Sequence, residues 1–179
     1  MIELRKPARA VHWLRLYKLY LQAFPSAERK PFGTIMKMFR QGRSDVWRIL
    51  HNWHFAGLAT TVNGDDLILL DYLAIEKRRR GQGIGSAAMA QLQKIYADKG
   101  FFVEIESTRE AAPNRAQREK RKRFYQTAGM DPMDVHVDVF GVKMELLGSR
   151  CSLDFEDYRA FYQDHYSPRA ADHIKNQAP

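Results

Sequence analysis

An almost uninterrupted apolar run, Leu67-Ile68-Leu69-Leu70-Asp71-Tyr72-Leu73-Ala74-Ile75, leads through Glu76-Lys77-Arg78-Arg79 into Arg80-Gly81-Gln82-Gly83-Ile84-Gly85-Ser86. No other stretch narrows the fold as much. The run has the composition of a strand buried on both faces. The residues that follow, Gly83–Lys99, place Ile84, Ala88, Leu92, Ile95 and Tyr96 at helical spacing. Gly100 is expected as the cap of that helix, and Phe101–Glu106 reads as a strand again. A strand–helix–strand unit of this kind is a parallel crossover, which commits the chain to an α/β class.

The flanking segments fill in the order. Met1–Leu4 predicts a short strand. From Ala10, the spacing of Val11, Leu14, Tyr17, Leu21 and Phe24 predicts a helix with those residues inward, stopped by Pro25. Phe32–Phe39 predicts a second helix. Val46–His51 and Gly57–Val62 read as strands, and Asn63-Gly64 as a hairpin turn. Pro113 and Asn114 introduce a helix from Arg115 to Ala128, ended by Gly129. Val135–Phe140 and Val142–Leu147 form a hairpin about Gly141, and Leu153–Tyr166 a final helix. The expectation is one mixed α/β domain over residues 1–166 with a polar, loosely held tail over 167–179.

The glycine segment defines the chemistry. Glycines let backbone approach a ligand without a Cβ in the way. The first amides of a helix lack internal partners and can point at a phosphate. Four basic residues, Lys77, Arg78, Arg79 and Arg80, crowd the same turn. The local chemistry is that of a pyrophosphate site. A P-loop is a poor match, because no lysine follows the glycines. Gly83-Ile84-Gly85-Ser86-Ala87-Ala88 satisfies a dinucleotide fingerprint, with Glu104 as its acidic residue. The charged turn before the glycines is too long for that fingerprint, and no further strand–helix alternation follows.

Leu73-Ala74-Ile75 followed by Arg80-x-x-Gly83-x-Gly85 resembles the acetyl-CoA signature of the GNAT acetyltransferase superfamily. Phe124-Tyr125-Gln126-Thr127-Ala128-Gly129-Met130 is similar to that family's Phe-Tyr-x-x-x-Gly-Phe segment, with Met130 in place of the last Phe. The resemblance covers about Leu67 to Met130. It implies a GNAT-like central mixed sheet with flanking helices, here with an extra C-terminal helix, and acetyl-CoA as cosubstrate. It implies that backbone amides of Leu73, Ala74 and Ile75 receive the thioester and pantetheine, and that Arg80, Gly81, Gln82, Gly83, Ile84, Gly85 and Ser86 hold the pyrophosphate. It implies that Tyr125 is the acid beside the coenzyme sulfur. Val103-Glu104-Ile105 resembles the Leu-Glu-Val of amine-acetylating relatives, where that glutamate works through water as the base. The family often has an asparagine seven residues before the tyrosine; Arg118 stands there, and Asn114 comes too early.

Spacing adds two expectations. Arg118, Arg121, Lys122 and Tyr125 fall on one helix face, so the three cations could address the coenzyme phosphates. Glu104 and Glu106 alternate along a strand and share a face, which makes Glu106 an alternative base.

A net charge of +8 implies attraction for anions. Coenzyme A, nucleic acid and acidic headgroups all qualify, but no nucleic-acid recognition motif is present. No apolar run approaches a membrane span and no signal peptide is evident. Cys151, the one cysteine, excludes an internal disulfide and suits a reducing cytoplasm. His51 and His54 lack a third ligand nearby, so no metal site is expected. The reading is a cytoplasmic N-acetyltransferase acting by direct attack of an amine-bearing acceptor, a small molecule or a protein amino group. A homodimer is its candidate assembly, with neither membrane nor nucleic acid as partner. The alternatives are a CoA-binding regulator without turnover and a basic nucleic-acid-binding module.

Overall fold

The computed structural model describes residues 1–177. The chain divides into two compact units. One comprises Met1–Asn63 with Leu70–Ala97; the other comprises Gly64–Leu69 with the residues from Asp98 onward. The architecture is mixed α/β, as the crossover reading implied.

The first unit contains β1 (Ile2–Arg5), α1 (Ala10–Ala23), α2 (Phe32–Arg40), β2 (Ser44–His51), β3 (His54–Asn63), most of β4 (Leu67–Ile75) and α3 (Ile84–Ile95). Its strands run in the order β1-β2-β3-β4. β1 and β3 both pair antiparallel with β2, and the register shifts between Ile49 and Leu50. Leu16, Leu19 and Tyr20 of α1 and Ile35 of α2 pack on Val46, Leu58, Tyr72 and Ala74. Alternation along each strand delivers those residues to one face. Tyr96, which follows α3, donates a hydrogen bond to Asp45 Oδ2 at 2.7 Å and accepts one from Trp47 Nε1 at 3.3 Å.

The periodicity of α1 misassigned its inner face. Val11, Leu14, Tyr17 and Leu21 are 47%, 51%, 41% and 41% exposed, while Leu16, Leu19 and Tyr20 are buried. Outside the polar side of Arg15, Lys18 and Gln22 the helix is apolar, so spacing alone offers two adjoining faces. Aromatic packing selects between them. The Tyr20 ring meets Tyr72 edge-on at 4.9 Å and lies 5.4 Å from Phe32, and its hydroxyl donates to Lys30 O at 2.9 Å. Tyr17, on the alternative face, also lies 5.1 Å from Phe32 but stays 41% exposed, and only Tyr20 reaches Tyr72.

Gly57 marks the close approach of β3 to β4. A Cβ there would lie 2.4 Å from Ala74 O and 2.8 Å from Ile75 Cδ1. The oxygen belongs to the backbone and cannot rotate away. Gly57→Ala is therefore expected to lower stability by about 3 kcal/mol, the upper end for overpacking, read as a reduced midpoint in urea.

The second unit contains β5 (Gly100–Glu106), α4 (Arg115–Thr127), β6 (Asp131–Val139), β7 (Val142–Ser149), α5 (Phe155–His165), α6 (Pro168–Ala171) and β8 (Ile174–Asn176). β7 pairs antiparallel with both β5 and β6. The residues after Ser167, read from sequence as a polar tail, include α6 and a strand pairing antiparallel with β6, Val139 opposite Ile174. Asp154 caps α5 by accepting from Asp157 N at 2.8 Å. Phe161 of α5 lies edge-on to Phe102 at 5.1 Å.

Gly129, at φ +79°, ends α4 in the left-handed conformation, and Met130 N reaches back to Tyr125 O at 3.1 Å. Gly100 is not the cap that the sequence suggested. α3 ends earlier, and Gly100 opens β5, where a Cβ would lie 2.7 Å from Cys151 Cβ. Among the described residues, no helix is long and apolar enough to cross a membrane.

Candidate active site

In the first unit, β4 ends in a short 3₁₀ turn, Lys77–Arg79, and the chain then enters α3 through Arg80–Gly83. Gly81 and Gly83 both adopt left-handed φ, +76° and +71°, which a side chain opposes. A Cβ on either would meet nothing within 4 Å, so the space over this backbone is open. Gly83 is the N-cap of α3. No side chain caps the helix and no acidic residue lies in its first turn. The first bond of the helix runs from Ala87 N to Gly83 O at 3.0 Å, so the amides of Ile84, Gly85 and Ser86 have no partner within it. Ile84 buries its side chain, while Gln82 and Ser86 are exposed.

Arg80 Nε donates to Ile75 O at 3.0 Å and ties the turn to the end of β4. Leu73, Ala74 and Ile75 form that end; Ala74 is buried and its two neighbours are half-buried. Glu76 Oε2 lies 3.3 Å from Nε of both Arg78 and Arg79. A phosphate fits this turn chemically: uncapped amides, positive charge and a backbone without Cβ atoms.

In the second unit, Glu104 and Glu106 share one face of β5 but are held by different helices. Tyr162 of α5 donates to both Glu104 carboxylate oxygens, at 2.8 and 3.0 Å. Tyr158, one turn earlier, is fully buried beside them, and burial pushes its phenol well up. Glu106 is buried beneath α4. Its Oε1 meets Arg118 Nη2 at 2.9 Å and its Oε2 meets Arg121 Nη1 at 3.0 Å. Asn114, at the start of α4, donates to Glu106 Oε1 at 3.2 Å and accepts from Arg118 Nε at 2.8 Å. Lys122 pairs with buried Glu145 at 2.6 Å. Burial alone raises the Glu145 carboxyl, but the Lys122 ammonium and the Thr108 donors outweigh it and hold it below its usual value.

Tyr125 lies on α4 with its ring against Phe124 at 5.1 Å. Burial pushes its phenol up to about 12, against the opposing pull of the Arg121 charge.

The sequence of residues 13–130 matches the model of the acetyltransferase (GNAT) family. The chain belongs to the GNAT acetyltransferase family. It is 31% identical over 110 residues to the Bacillus subtilis protein YjbC, to which an acetyltransferase activity is ascribed. The match covers 62% of this chain and 53% of that protein, so this GNAT chain spans about half the length of its curated relative. Its fold is similar to that of a GNAT-family protein from Bacteroides thetaiotaomicron, with a TM-score of 0.76 at 17% identity, covering 96% of this chain and 98% of that one. It is also similar to Arabidopsis thaliana Naa50 in complex with the bisubstrate analogue CoA-Ac-MVNAL. There the TM-score is 0.66 at 13% identity, covering 84% of this chain and 99% of that one.

Within this GNAT fold, the glycine turn brings Arg80 to Ser86 together at one helix start. Arg118, Arg121 and Lys122 do lie on one helix face, but Glu106 and Glu145 engage their charges. Spacing along α4 shows which side chains are neighbours; it does not show what they meet. Two further residues at the site were not singled out in the sequence. Asn114 comes too early for the family pattern, and Tyr162 is placed by its sequence only within the last helix. The Tyr158–Tyr162 pair, one turn apart on an aromatic helix, was the available signal.

Glu106→Gln separates the structural role from the catalytic one. The amide keeps the shape but leaves two guanidiniums without their counter-ion. Breaking a buried pair costs about 3–5 kcal/mol; Arg121 is 34% exposed, which favours the lower end. Urea unfolding is expected to show a loss of about 3 kcal/mol. Unchanged stability with lost turnover would return Glu106 to catalysis.

Proposed function

We propose that the protein transfers the acetyl group of acetyl-CoA to an amine by direct attack. The observation that carries this reading is the left-handed glycine turn at an uncapped helix start, directly after β4. In this reading the amides from Gly81 to Ser86 hold the pyrophosphate. Arg80 spends Nε on the strand end and offers its terminal amino groups to the phosphates. The backbone of Leu73, Ala74 and Ile75 receives the thioester arm, as the family resemblance implies.

The amine nitrogen attacks the carbonyl carbon, the tetrahedral intermediate collapses, the carbon–sulfur bond breaks, and the thiolate takes a proton. Tyr125 is assigned as the donor of that proton. A phenol pushed up to about 12 is still protonated at neutral pH. Glu104 is assigned as the base that takes the amine proton through water, with Tyr162 fixing the direction of its carboxylate. Glu106 is given a structural role, because two arginines hold it. Direct attack is preferred over an acyl-enzyme because burial raises the Cys151 thiol and its Sγ faces Phe101 O at 3.8 Å. A single unpaired cysteine also fits a cytoplasmic setting.

The Naa50 neighbour is in complex with the bisubstrate analogue CoA-Ac-MVNAL, which joins CoA to the peptide sequence MVNAL. Peptide amino-termini therefore lead the acceptor panel, ahead of small amines. Each is incubated with acetyl-CoA while free thiol is measured and the product is weighed by mass spectrometry. Thiol release matched by an acetylated amine is the expected result. Acetyl-CoA binding without release on any amine would favour the non-catalytic regulator, and preferential NAD binding the dinucleotide site.

A further inference from the structure

α1 carries Arg15 and Lys18 and no acidic residue. Neither cation has an ion pair or hydrogen bond among the described residues. Beside them, between α1, the start of β3 and the turn after β4, lies a groove of about 390 Å³. Leu19 and Phe55 supply its apolar lining, and Arg15, Lys18, Arg78 and Arg79 its charge. Glu76 is the one carboxylate among its lining residues, and Arg78 and Arg79 share it. The buried Nε of Arg79 makes no hydrogen bond. The outer surface of α1 next to this groove is the apolar stripe of Val11, Leu14, Tyr17 and Leu21.

We infer that this face of α1, with the groove beside it, docks an acidic amphipathic segment of a partner protein. Unpaired cations next to exposed leucines ask for two things in one ligand: carboxylates for Arg15 and Lys18, and apolar side chains for Leu14 and Leu21. An acidic helix or extended strand with apolar anchors supplies both. A second copy of this chain does not, because an isologous contact would set Arg15 and Lys18 against like charges. Nucleic acid matches the cations but leaves the apolar stripe uncovered. A flat anionic bilayer meets the protruding leucines but does not fill a concave groove. Arg78 and Arg79 also belong to the turn read as the pyrophosphate site, so the test rests on Arg15, Lys18 and Leu14, which lie outside it.

The test uses a fluorescein-labelled synthetic peptide of Glu-Leu-Glu-Glu-Leu-Leu-Glu repeats, with binding to the full chain read by fluorescence anisotropy. Arg15→Glu with Lys18→Glu is expected to weaken binding about tenfold or more, and Leu14→Ser about fivefold, each in a protein of unchanged circular dichroism. A control with equal charge change, Lys94→Glu with Lys120→Glu, on α3 and α4, is expected to bind as wild type. Equal weakening in that control would show unspecific attraction and overturn the proposal. Equal binding of a leucine-free polyglutamate would overturn it as well. Tighter binding of duplex DNA, or of phosphatidylglycerol vesicles, lost in the same Arg15 and Lys18 variant would reassign the face to that ligand.

Discussion

Gly83→Val is expected to weaken acetyl-CoA binding by about 100-fold or more while the protein stays folded. Gly83 holds φ +71° at the start of α3. A β-branched residue there is strained by about 1–2 kcal/mol. Nothing lies within 4 Å of the new Cβ, so the free protein can accommodate the side chain. The valine then occupies the space through which a phosphate must approach the amides of Ile84, Gly85 and Ser86. Losing two charge-assisted hydrogen bonds of about 1.5–3 kcal/mol each is enough for the expected loss. Calorimetry with acetyl-CoA measures the affinity, and thermal unfolding monitors the fold. Wild-type affinity in a folded Gly83→Val protein would end the assignment of this turn to the coenzyme.

Tyr125→Phe is expected to lower kcat by about 100-fold or more, with little change in the KM for acetyl-CoA. The substitution removes one oxygen and keeps the ring that packs on Phe124. Positioned acids typically contribute 10²–10⁴-fold, and the leaving thiolate is the group that this phenol is assigned to protonate. The same assay on Glu104→Gln isolates the base. Its defect is expected to be largest at neutral pH, where most of the amine is protonated, and to shrink as pH rises. A full rate in Tyr125→Phe would return this tyrosine to the packing of α4.

The segments that were legible in the sequence are those whose conformation is decided locally. β4 runs from Leu67 to Ile75, as its apolar run predicted. Gly81, Gly83 and Gly129 adopt the left-handed φ that only glycine takes without strain. The start of α3 and the end of α4 follow from them. Where sequence reasoning failed, the choice was between equivalent local options. α1 is apolar on most of its circumference, so its spacing supports two faces; the contacts of Tyr20 with Tyr72 and Phe32 chose one. Gly100 looks like a helix cap from its position, yet the reason for a glycine there is the Cys151 side chain, distant in sequence.

The carboxylates on β5 show the same division. Alternation placed Glu104 and Glu106 on one face, and they are there. Which of them is free to move a proton depends on what lies over that face. Arg118, Arg121 and Asn114 arrive from α4, and Tyr162 from the C-terminal helix. Backbone propensity, helical and strand period, and the permitted φ of glycine act over a few residues, so the sequence by itself determined the strand, the glycine turn and the family. The pairing of a buried charge is settled by whichever donors come within about 3 Å after folding. Only the tertiary structure decided that Glu106 belongs to an arginine cluster, that Tyr162 holds Glu104, and that α1 turns Leu14 and Leu21 outward while it buries Leu16 and Leu19.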